Sequence, residues 1–354
     1  MSGYGWYRPN RNFIPHTELE QVVFLCSSRA IILWSTTPDV LRKGLRGDSV
    51  DRIADLSTGK VSYRMYQGPA SDCVVVMTAL GSCSAEWWHL AERWSKERPT
   101  LLYDRGGYGL SEPGERARTP DTIARELKAL LDALHISCIR LFGHSIGGLY
   151  AYRFALVYPD TVRSLILLDP VFPDSDRLRE ELSEEEYKRS GIEKEGNVKI
   201  LKALTSLGLG FLLKPLLKKA PPFRYYSGFT TEAEKRILSN AVQRKTILTV
   251  ENEYSWIKDR PMMRQIRIVP GSLRAPITLI LHTPDVLIRE METVGKVPRG
   301  TGEKVERIWS DLMREYLVTS EDSREVQARN SAHFIHLSDP ECLEEALSDS
   351  FPGG

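Results

Sequence analysis

The sequence predicts an α/β fold in which a mostly parallel central sheet is flanked by helices. Continuous apolar runs at 73–79, 100–104 and 277–281 are typical of parallel strands that are buried on both faces. Segments with helical spacing of apolar residues separate such runs, so strands and helices alternate along the chain. Residues 171–275 form a connection far longer than the loops usual in these folds, which indicates an inserted helical cap.

These patterns divide the chain into an N-terminal extension, a core and a cap. The extension covers residues 1–58, and the sequence assigns it no function. The core covers 59–170 and 276–354, and the cap covers 171–275. At the start of the core, residues 60–66 alternate polar and apolar side chains, which predicts an edge strand with one solvated face.

Composition and charge are those of a soluble globular protein. The chain has 354 residues, 42% of them hydrophobic, and its 48 basic and 47 acidic residues give a net charge of +1. Nothing in this balance indicates a nucleic-acid partner. The five cysteines form no C-x-x-C pair and no metal-ligand spacing, so we expect no metal site and a reducing compartment. The first twenty residues lack an apolar signal core, and a cytoplasmic location is expected.

Two apolar segments raise the question of membrane contact. Residues 22–34 are shorter than the roughly 18 to 20 residues of a membrane span and include Arg29, so they predict a buried helix or an interfacial segment. Residues 207–219 are rich in leucine and suit either a membrane or an apolar substrate, but such runs more often pack over a pocket. Membrane contact stays open and is not favoured.

A Gly-x-Ser-x-Gly pattern formed by Gly143, Ser145 and Gly147 lies between an apolar run and a helical pattern. A serine on such a strand-to-helix turn has strained backbone geometry, and its hydroxyl projects clear of the sheet. The two glycines stand where a side chain would collide with the neighbouring strand or helix. The helix N-terminus offers unpaired N–H groups that favour an oxyanion. Ser145 is therefore the predicted nucleophile.

Over residues 60–350 the chain resembles the α/β-hydrolase superfamily, because several of its motifs occur in the family's order. Residues 74–88 resemble the oxyanion strand and loop, 104–111 resemble the D-R-x-G-x-G-x-S loop, and 143–147 resemble the nucleophile elbow. The resemblance implies an α/β-hydrolase fold with a helical cap and a catalytic triad.

The resemblance also implies an oxyanion hole and a catalytic base. The oxyanion donors would be the backbone N–H groups of Ile146 and Leu80, although Thr78 and Ala79 replace the family's common His-Gly pair. Residues 331–340 are similar to the S-G-H-x-x-x-x-x-x-P signature, which makes His333 the base. The remaining histidines considered are interpreted as packing or pocket residues; they are His89, His282 and His336.

Two carboxylates are candidates for the acid that orients His333. Asp285 follows the penultimate strand, where most relatives place this acid, but its turn lacks the usual glycine. Asp169 ends the strand after the elbow helix, a position that dehalogenase-like and lactonase-like members use. The sequence favours Asp169 and leaves Asp285 open. If Asp169 is not the acid, it caps the first turn of the cap.

The implied activity is hydrolysis of a carboxylic ester, thioester, lactone or amide through an acyl-enzyme on Ser145, without metal or organic cofactor. The apolar cap favours a small to medium hydrophobic substrate. A serine nucleophile argues against epoxide-hydrolase and dehalogenase chemistry, which in this fold uses an aspartate. The alternatives are a small-molecule receptor on the same fold with little turnover and a membrane-associated lipase.

Overall fold

The computed structural model describes residues 50–114, 117–173, 176–190 and 198–348. Most of the predicted N-terminal extension, residues 1–58, therefore lies outside the described residues, and so does the apolar segment 22–34. The boundaries predicted for the extension, core and cap remain predictions.

An eight-stranded sheet forms the centre of the described chain, with strand order β1-β2-β4-β3-β5-β6-β7-β8. Strand β2 is antiparallel to both of its neighbours, and the other neighbouring pairs are parallel. The predicted, mostly parallel sheet is confirmed. The strands are β1 Arg52–Leu56, β2 Gly59–Tyr66, β3 Cys73–Met77, β4 Thr100–Tyr103, β5 Ile139–His144, β6 Val162–Leu168, β7 Ile277–Leu281 and β8 Ser323–Gln327.

Helices cover both faces of this sheet, and further helices of the described residues lie between β6 and β7, in the segment predicted as a cap; we refer to these as the cap helices. In the core they are α1 Trp88–Trp94, α2 Pro120–Ala133, α3 Ile146–Val157, α11 Pro284–Thr293, α12 Arg299–Arg314, α13 Ile335–Ser338 and α14 Glu341–Ser348. Between β6 and β7 they are α4 Asp176–Glu181, α5 Glu184–Ser190, α6 Val198–Ser206, α7 Lys214–Leu217, α8 Thr231–Asn240, α9 Arg244–Ile257 and α10 Arg260–Met263.

Strand β2 is not the edge strand that the alternating pattern of residues 60–66 predicts. It pairs with β1 on one side and with β4 on the other, so β1 forms the edge. Strand β1 is short and mostly exposed, and its sequence, Arg-Ile-Ala-Asp-Leu, carries little of the apolar signal that identifies a strand. At the opposite edge, β8 alternates exposed and half-buried side chains.

Two hydrophobic cores fix the sheet between its helices. Helices α2, α3 and α12 pack on one face, and α1, α8 and α14 pack on the other. Strands β3, β4 and β7 are buried along their whole length, as expected for parallel strands covered on both faces. The packing aligns the carboxyl ends of β3, β5, β6 and β7, where the candidate site residues lie.

The turn between β5 and α3 depends on two close backbone approaches. Ser145 has φ of 58° and ψ of −124°, which is strained geometry for a residue with a side chain. A Cβ added to Gly147 would lie 2.1 Å from the carbonyl oxygen of Met77, and one added to Gly143 would lie 2.6 Å from the carbonyl oxygen of Gly147. Both positions therefore require glycine.

We expect Gly147→Ala to lower the free energy of unfolding by at least about 2 kcal/mol, because the added methyl group collides with backbone that cannot move independently of the sheet. Gly300→Ala is the matched control, since a Cβ added to Gly300 in α12 meets no other atom within 4 Å, and alanine there should be neutral or stabilising by up to about 1 kcal/mol. Urea denaturation of both variants measures the difference. Equal effects would contradict the packing described here.

Candidate active site

Ser145 lies at the top of the turn, partly exposed, with its backbone held in place by neighbouring segments. Its N–H donates to the carbonyl oxygen of Leu168 at 2.9 Å, and its own carbonyl oxygen accepts from Gly148 and Val171 at 2.9 Å each. Among the residues that the structure describes, no hydrogen bond joins Ser145 Oγ to His333. Such bonds are often long in ligand-free sites and shorten when substrate binds.

His333 is brought beside the turn by a hydrogen bond from the residue before Ser145. His144 Nε2 donates to the carbonyl oxygen of His333 at 2.9 Å, and the two imidazole centroids are 4.9 Å apart. Burial, followed by the proximity of His333, lowers the pKa of His144 to about 3, so this ring stays neutral. The neutral ring can donate from Nε2, and it fixes the loop that carries His333.

The carboxylate of Asp169 contacts the imidazole of His333 at Nδ1. Asp169 Oδ2 lies 3.0 Å from His333 Nδ1, and the Asp169 residue is only 1% exposed. Its φ of 41° is unusual for a residue with a side chain and indicates a conformation that the surroundings enforce. Burial alone would raise the pKa of Asp169, but His282 and His333 outweigh it and hold the pKa well below its usual range. Asp169 is therefore ionised.

His282 is a second imidazole on the same carboxylate, and its interpretation as a packing or pocket residue was wrong. Its Nδ1 lies 2.9 Å from Asp169 Oδ1 and 3.0 Å from Asp169 Oδ2, and its backbone N–H donates to Oδ1 at 3.0 Å. On the far side, His282 Nε2 lies 3.5 Å from Glu306 Oε1, which also accepts from Ser310 Oγ at 2.7 Å. Four side chains, those of His333, Asp169, His282 and Glu306, thus form one chain of polar contacts.

His282 is protonated at neutral pH in this arrangement. Burial lowers the pKa of His282, but the charges of Asp169 and Glu306 have the larger, opposite effect and raise this pKa to about 9. The pKa of Glu306 is lowered: burial opposes this shift, but the nearby His282 and the hydrogen bond from Ser310 outweigh it. An imidazolium between two carboxylates compensates charge that would otherwise be buried without a partner.

Asp285, the other candidate acid, does not meet His333. It lies in the first turn of α11 with its side chain 78% exposed, and its Oδ1 lies 3.5 Å from Arg299 Nη2. Within the described ranges it forms no ion pair with a histidine. The reason is that the chain enters α11 at Pro284, directly after β7, so that Asp285 joins the solvent-facing side of that helix rather than the site.

The loop after β3, which carries the predicted oxyanion donor Leu80, lies against the turn between β5 and α3. The close approach of Gly147 to Met77 O and Thr78 O places the first turn of α3, and with it Ile146, beside this loop. Arg105 fixes the loop from below: its Nη1 donates to Thr78 O at 2.6 Å and its Nη2 donates to Ala79 O at 3.3 Å.

Arg105 also connects this loop to the cap. Its Nη2 lies 3.0 Å from Oε2 of Glu253 on α9, and the two side chains are 1% and 0% exposed. The hydroxyl of Tyr108 donates to the same carboxylate at 3.1 Å. From α8, Asn240 Nδ2 donates to Gly81 O at 2.7 Å. Two cap helices therefore hold the loop in which Leu80 lies.

Packing contacts account for the other histidines. His336 is fully buried and stacks on Trp87 with ring centroids 4.2 Å apart, which confirms its interpretation as a packing residue. His89 stacks on Tyr226 of the cap at 4.5 Å. Within the described residues, no cluster of three or more His, Cys, Asp or Glu side chains could hold a metal ion. No helix in those residues has the length and apolar character needed to cross a membrane.

Residues 72–187 match the family model described as the alpha/beta hydrolase fold. Over this third of its length the chain is similar to the α/β-hydrolase family. Its similarity to solved structures agrees: epoxide hydrolase CorEH superposes with a TM-score of 0.59 at 15% sequence identity, covering 85% of this chain and 97% of that one. At this identity the likeness concerns the fold alone. The predicted α/β-hydrolase fold is thus confirmed.

Two sequence relatives match only part of this chain. The uncharacterised protein YbdG of Bacillus subtilis strain 168 is 25% identical over 225 residues, which are 63% of this chain and 66% of YbdG. Lipase LipV of Mycobacterium tuberculosis is 38% identical over 94 residues, which are 26% of this chain and 36% of LipV. The chain thus matches less than two thirds of the length of either relative.

Sequence reasoning missed His282, Glu306 and the pair of Arg105 with Glu253. A signal existed for His282, since it directly follows the buried strand β7, and side chains at the carboxyl ends of parallel strands meet at one edge. The position of Glu253 in the middle of a cap helix gives no comparable signal.

The titration of His282 should appear in the pH dependence of stability. Its pKa of about 9 in the folded protein exceeds the 6.5 of a free side chain, so its stabilising contribution is complete below pH 6.5 and disappears as the pH rises through 9. We expect the stability advantage of the wild type over His282→Gln to shrink by on the order of 1–3 kcal/mol between pH 6.5 and 9. Urea denaturation at intermediate pH values measures it, and a constant difference would refute the charged state.

Proposed function

We propose that the protein is a serine carboxylic-ester hydrolase that acts through an acyl-enzyme on Ser145. The observation that carries the proposal is the 3.0 Å contact between His333 Nδ1 and the buried Asp169 carboxylate, on a loop fixed beside Ser145 by His144. A serine on a strained strand-to-helix turn, a histidine and an acid that orients it are the parts of a hydrolytic triad.

In this mechanism His333 accepts the proton of Ser145 Oγ while the oxygen attacks the substrate carbonyl carbon. The backbone N–H groups of Ile146 and Leu80 stabilise the oxyanion that develops. His333 then gives its proton to the leaving alcohol, and a water activated by His333 hydrolyses the acyl-enzyme. Asp169 holds the imidazole with Nδ1 protonated and offsets the charge it gains.

His282 acts in this scheme as a positioning residue for Asp169. Its backbone N–H donates to Asp169 Oδ1 and its Nδ1 contacts both carboxylate oxygens, which holds the carboxylate with Oδ2 also in contact with His333 Nδ1. Because His282 is cationic at neutral pH, it keeps Asp169 ionised before His333 gains charge. Asp169 is the proposed acid, and the exposed Asp285 has no part in the reaction.

We propose a small to medium hydrophobic ester as substrate, because aromatic side chains meet beside the base: Tyr225 stacks on Phe334, whose ring lies edge-on to that of His333. The name of LipV, a lipase, agrees with an ester of this kind. Thioesters, lactones and amides belong to the same reaction class. The proposed mechanism needs no metal or organic cofactor and no nucleic-acid partner, and a cytoplasmic location is proposed. A receptor with little turnover is the competing function, and the experiments below separate the two.

Covalent labelling tests the nucleophile without assuming a substrate. We expect a small fluorophosphonate to add one phosphonyl group to the wild type, detected by intact mass, and none to Ser145→Ala, because only an activated serine reacts. Ser255→Ala, a change at an exposed serine of helix α9, should label like the wild type. A folded wild-type protein that resists labelling would favour the receptor.

Paired substitutions test the acid. Asp169→Asn should lower kcat for a short-chain ester by about 10³-fold or more, because the amide can no longer favour the required imidazole tautomer. Asp285→Asn makes the same chemical change at an exposed site and should leave kcat within about twofold. Steady-state kinetics of both variants decide, and comparable small losses in the two would remove Asp169 from the mechanism.

A further inference from the structure

The cap exposes a run of large hydrophobic side chains that the proposed chemistry does not use. Their exposed fractions are 71% for Leu207, 39% for Leu209, 47% for Phe211, 58% for Leu212 and 61% for Leu216. We call these five residues the cap patch. Single exposed hydrophobic residues are ordinary on protein surfaces, but several within ten positions of one segment mark a contact surface.

The segment that carries the cap patch packs against the cap helices, so the patch belongs to a packed surface and not to a loose loop. Leu217 is fully buried and, with the partly buried Leu213, packs against Leu238 of α8, Ile247 of α9 and Val242 between these helices. Leu213 and Leu217 are four residues apart and supply the inner face. The inner face is thus buried against the cap helices. The outer face is also apolar, and no residue of the described structure covers it.

Positive charge borders the cap patch. Between residues 202 and 219 the chain contains lysines but neither Asp nor Glu. Lys218 lies 2.5 Å from Glu234, and Lys202 lies 2.8 Å from Glu251. Lys214 and Lys219 form no ion pair with any side chain that the structure describes. An apolar surface bordered by unneutralised lysines complements a bilayer with anionic headgroups, which offers hydrocarbon beneath negative charge.

We propose that the cap patch docks the protein onto an anionic lipid bilayer, with its leucine and phenylalanine side chains inserted at the headgroup boundary and Lys214 and Lys219 on the lipid phosphates. The chain leads directly from this surface to the site: Tyr225, which follows α7, stacks on Phe334 with ring centroids 5.0 Å apart, and Phe334 adjoins His333. Docking would therefore hold the site close to apolar esters dissolved in the bilayer. The binding itself is independent of the proposed hydrolysis.

Vesicle sedimentation with the full chain tests this proposal. We expect the wild type to bind vesicles of phosphatidylcholine with about one third phosphatidylglycerol, and to bind phosphatidylcholine alone more weakly. Leu212→Glu combined with Leu216→Glu should reduce the partition coefficient at least about tenfold, because two charges must then enter the headgroup boundary. Lys214→Gln combined with Lys219→Gln should remove the preference for anionic vesicles.

Matched controls separate docking from folding and from catalysis. Val294 and Val318 are 51% and 53% exposed outside the cap patch, so Val294→Glu combined with Val318→Glu makes the same chemical change and should leave binding unchanged. Fluorophosphonate labelling of each variant in the absence of lipid reports on Ser145 separately, and the patch variants should label like the wild type. Failure of labelling and failure of docking are thus distinguishable.

Three results would overturn the proposal. The first is a wild type that does not sediment with anionic vesicles. The second is a Leu212→Glu and Leu216→Glu variant that binds as well as the wild type, since the contact would then lie elsewhere in the chain. The third is a wild-type dimer in light scattering that this variant converts to a monomer without any vesicle binding, which would make the cap patch a self-association surface.

Discussion

The candidate site depends on one buried charge, the carboxylate of Asp169. A carboxylate at 1% exposure is strongly destabilised unless charges and hydrogen bonds replace water, and here two imidazoles and a backbone N–H do so. Meeting that requirement ties the end of β6 to the end of β7 through His282 and to the loop after β8 through His333. The position of the proposed base is therefore a consequence of compensating the acid.

A second buried charge pair connects the cap helices to the loop after β3. Arg105 and Glu253 are both almost inaccessible to solvent, and Arg105 also donates to the carbonyl groups of Thr78 and Ala79. Leaving either charge without its partner would be strongly unfavourable, so helix α9 and the loop after β3 adopt their positions together. The conformation of the loop that contains Thr78 and Ala79 thus depends on its contacts with the cap helices.

Local patterns predicted the fold and the positions of Ser145 and His333 along it, because buried parallel strands and a glycine-bounded turn leave signals within a few residues. Strand β1 was missed because five mostly exposed residues carry no such signal.

The contacts around Asp169 could be predicted only in part. Two strand ends offered a carboxylate, and the choice between Asp169 and Asp285 depended on the path of the chain after β7, which Pro284 turns into a helix. His282 contacts Asp169 across 113 residues of sequence. The sequence shows that His282 follows a buried strand, but its contact with Asp169 depends on β6 and β7 being neighbours in the sheet, which the local sequence does not specify.

The two outer strands of the sheet have a consequence for how the protein behaves at high concentration. An unpaired strand edge can recruit a strand from another molecule, and short edges with charged side chains resist this. Strand β1 has five residues and includes Arg52 and Asp55, while β8 carries Arg324 and Glu325, the latter bound by Arg314. Both edges therefore discourage intermolecular β-sheet growth, and they leave the fully apolar strands protected at the centre of the sheet.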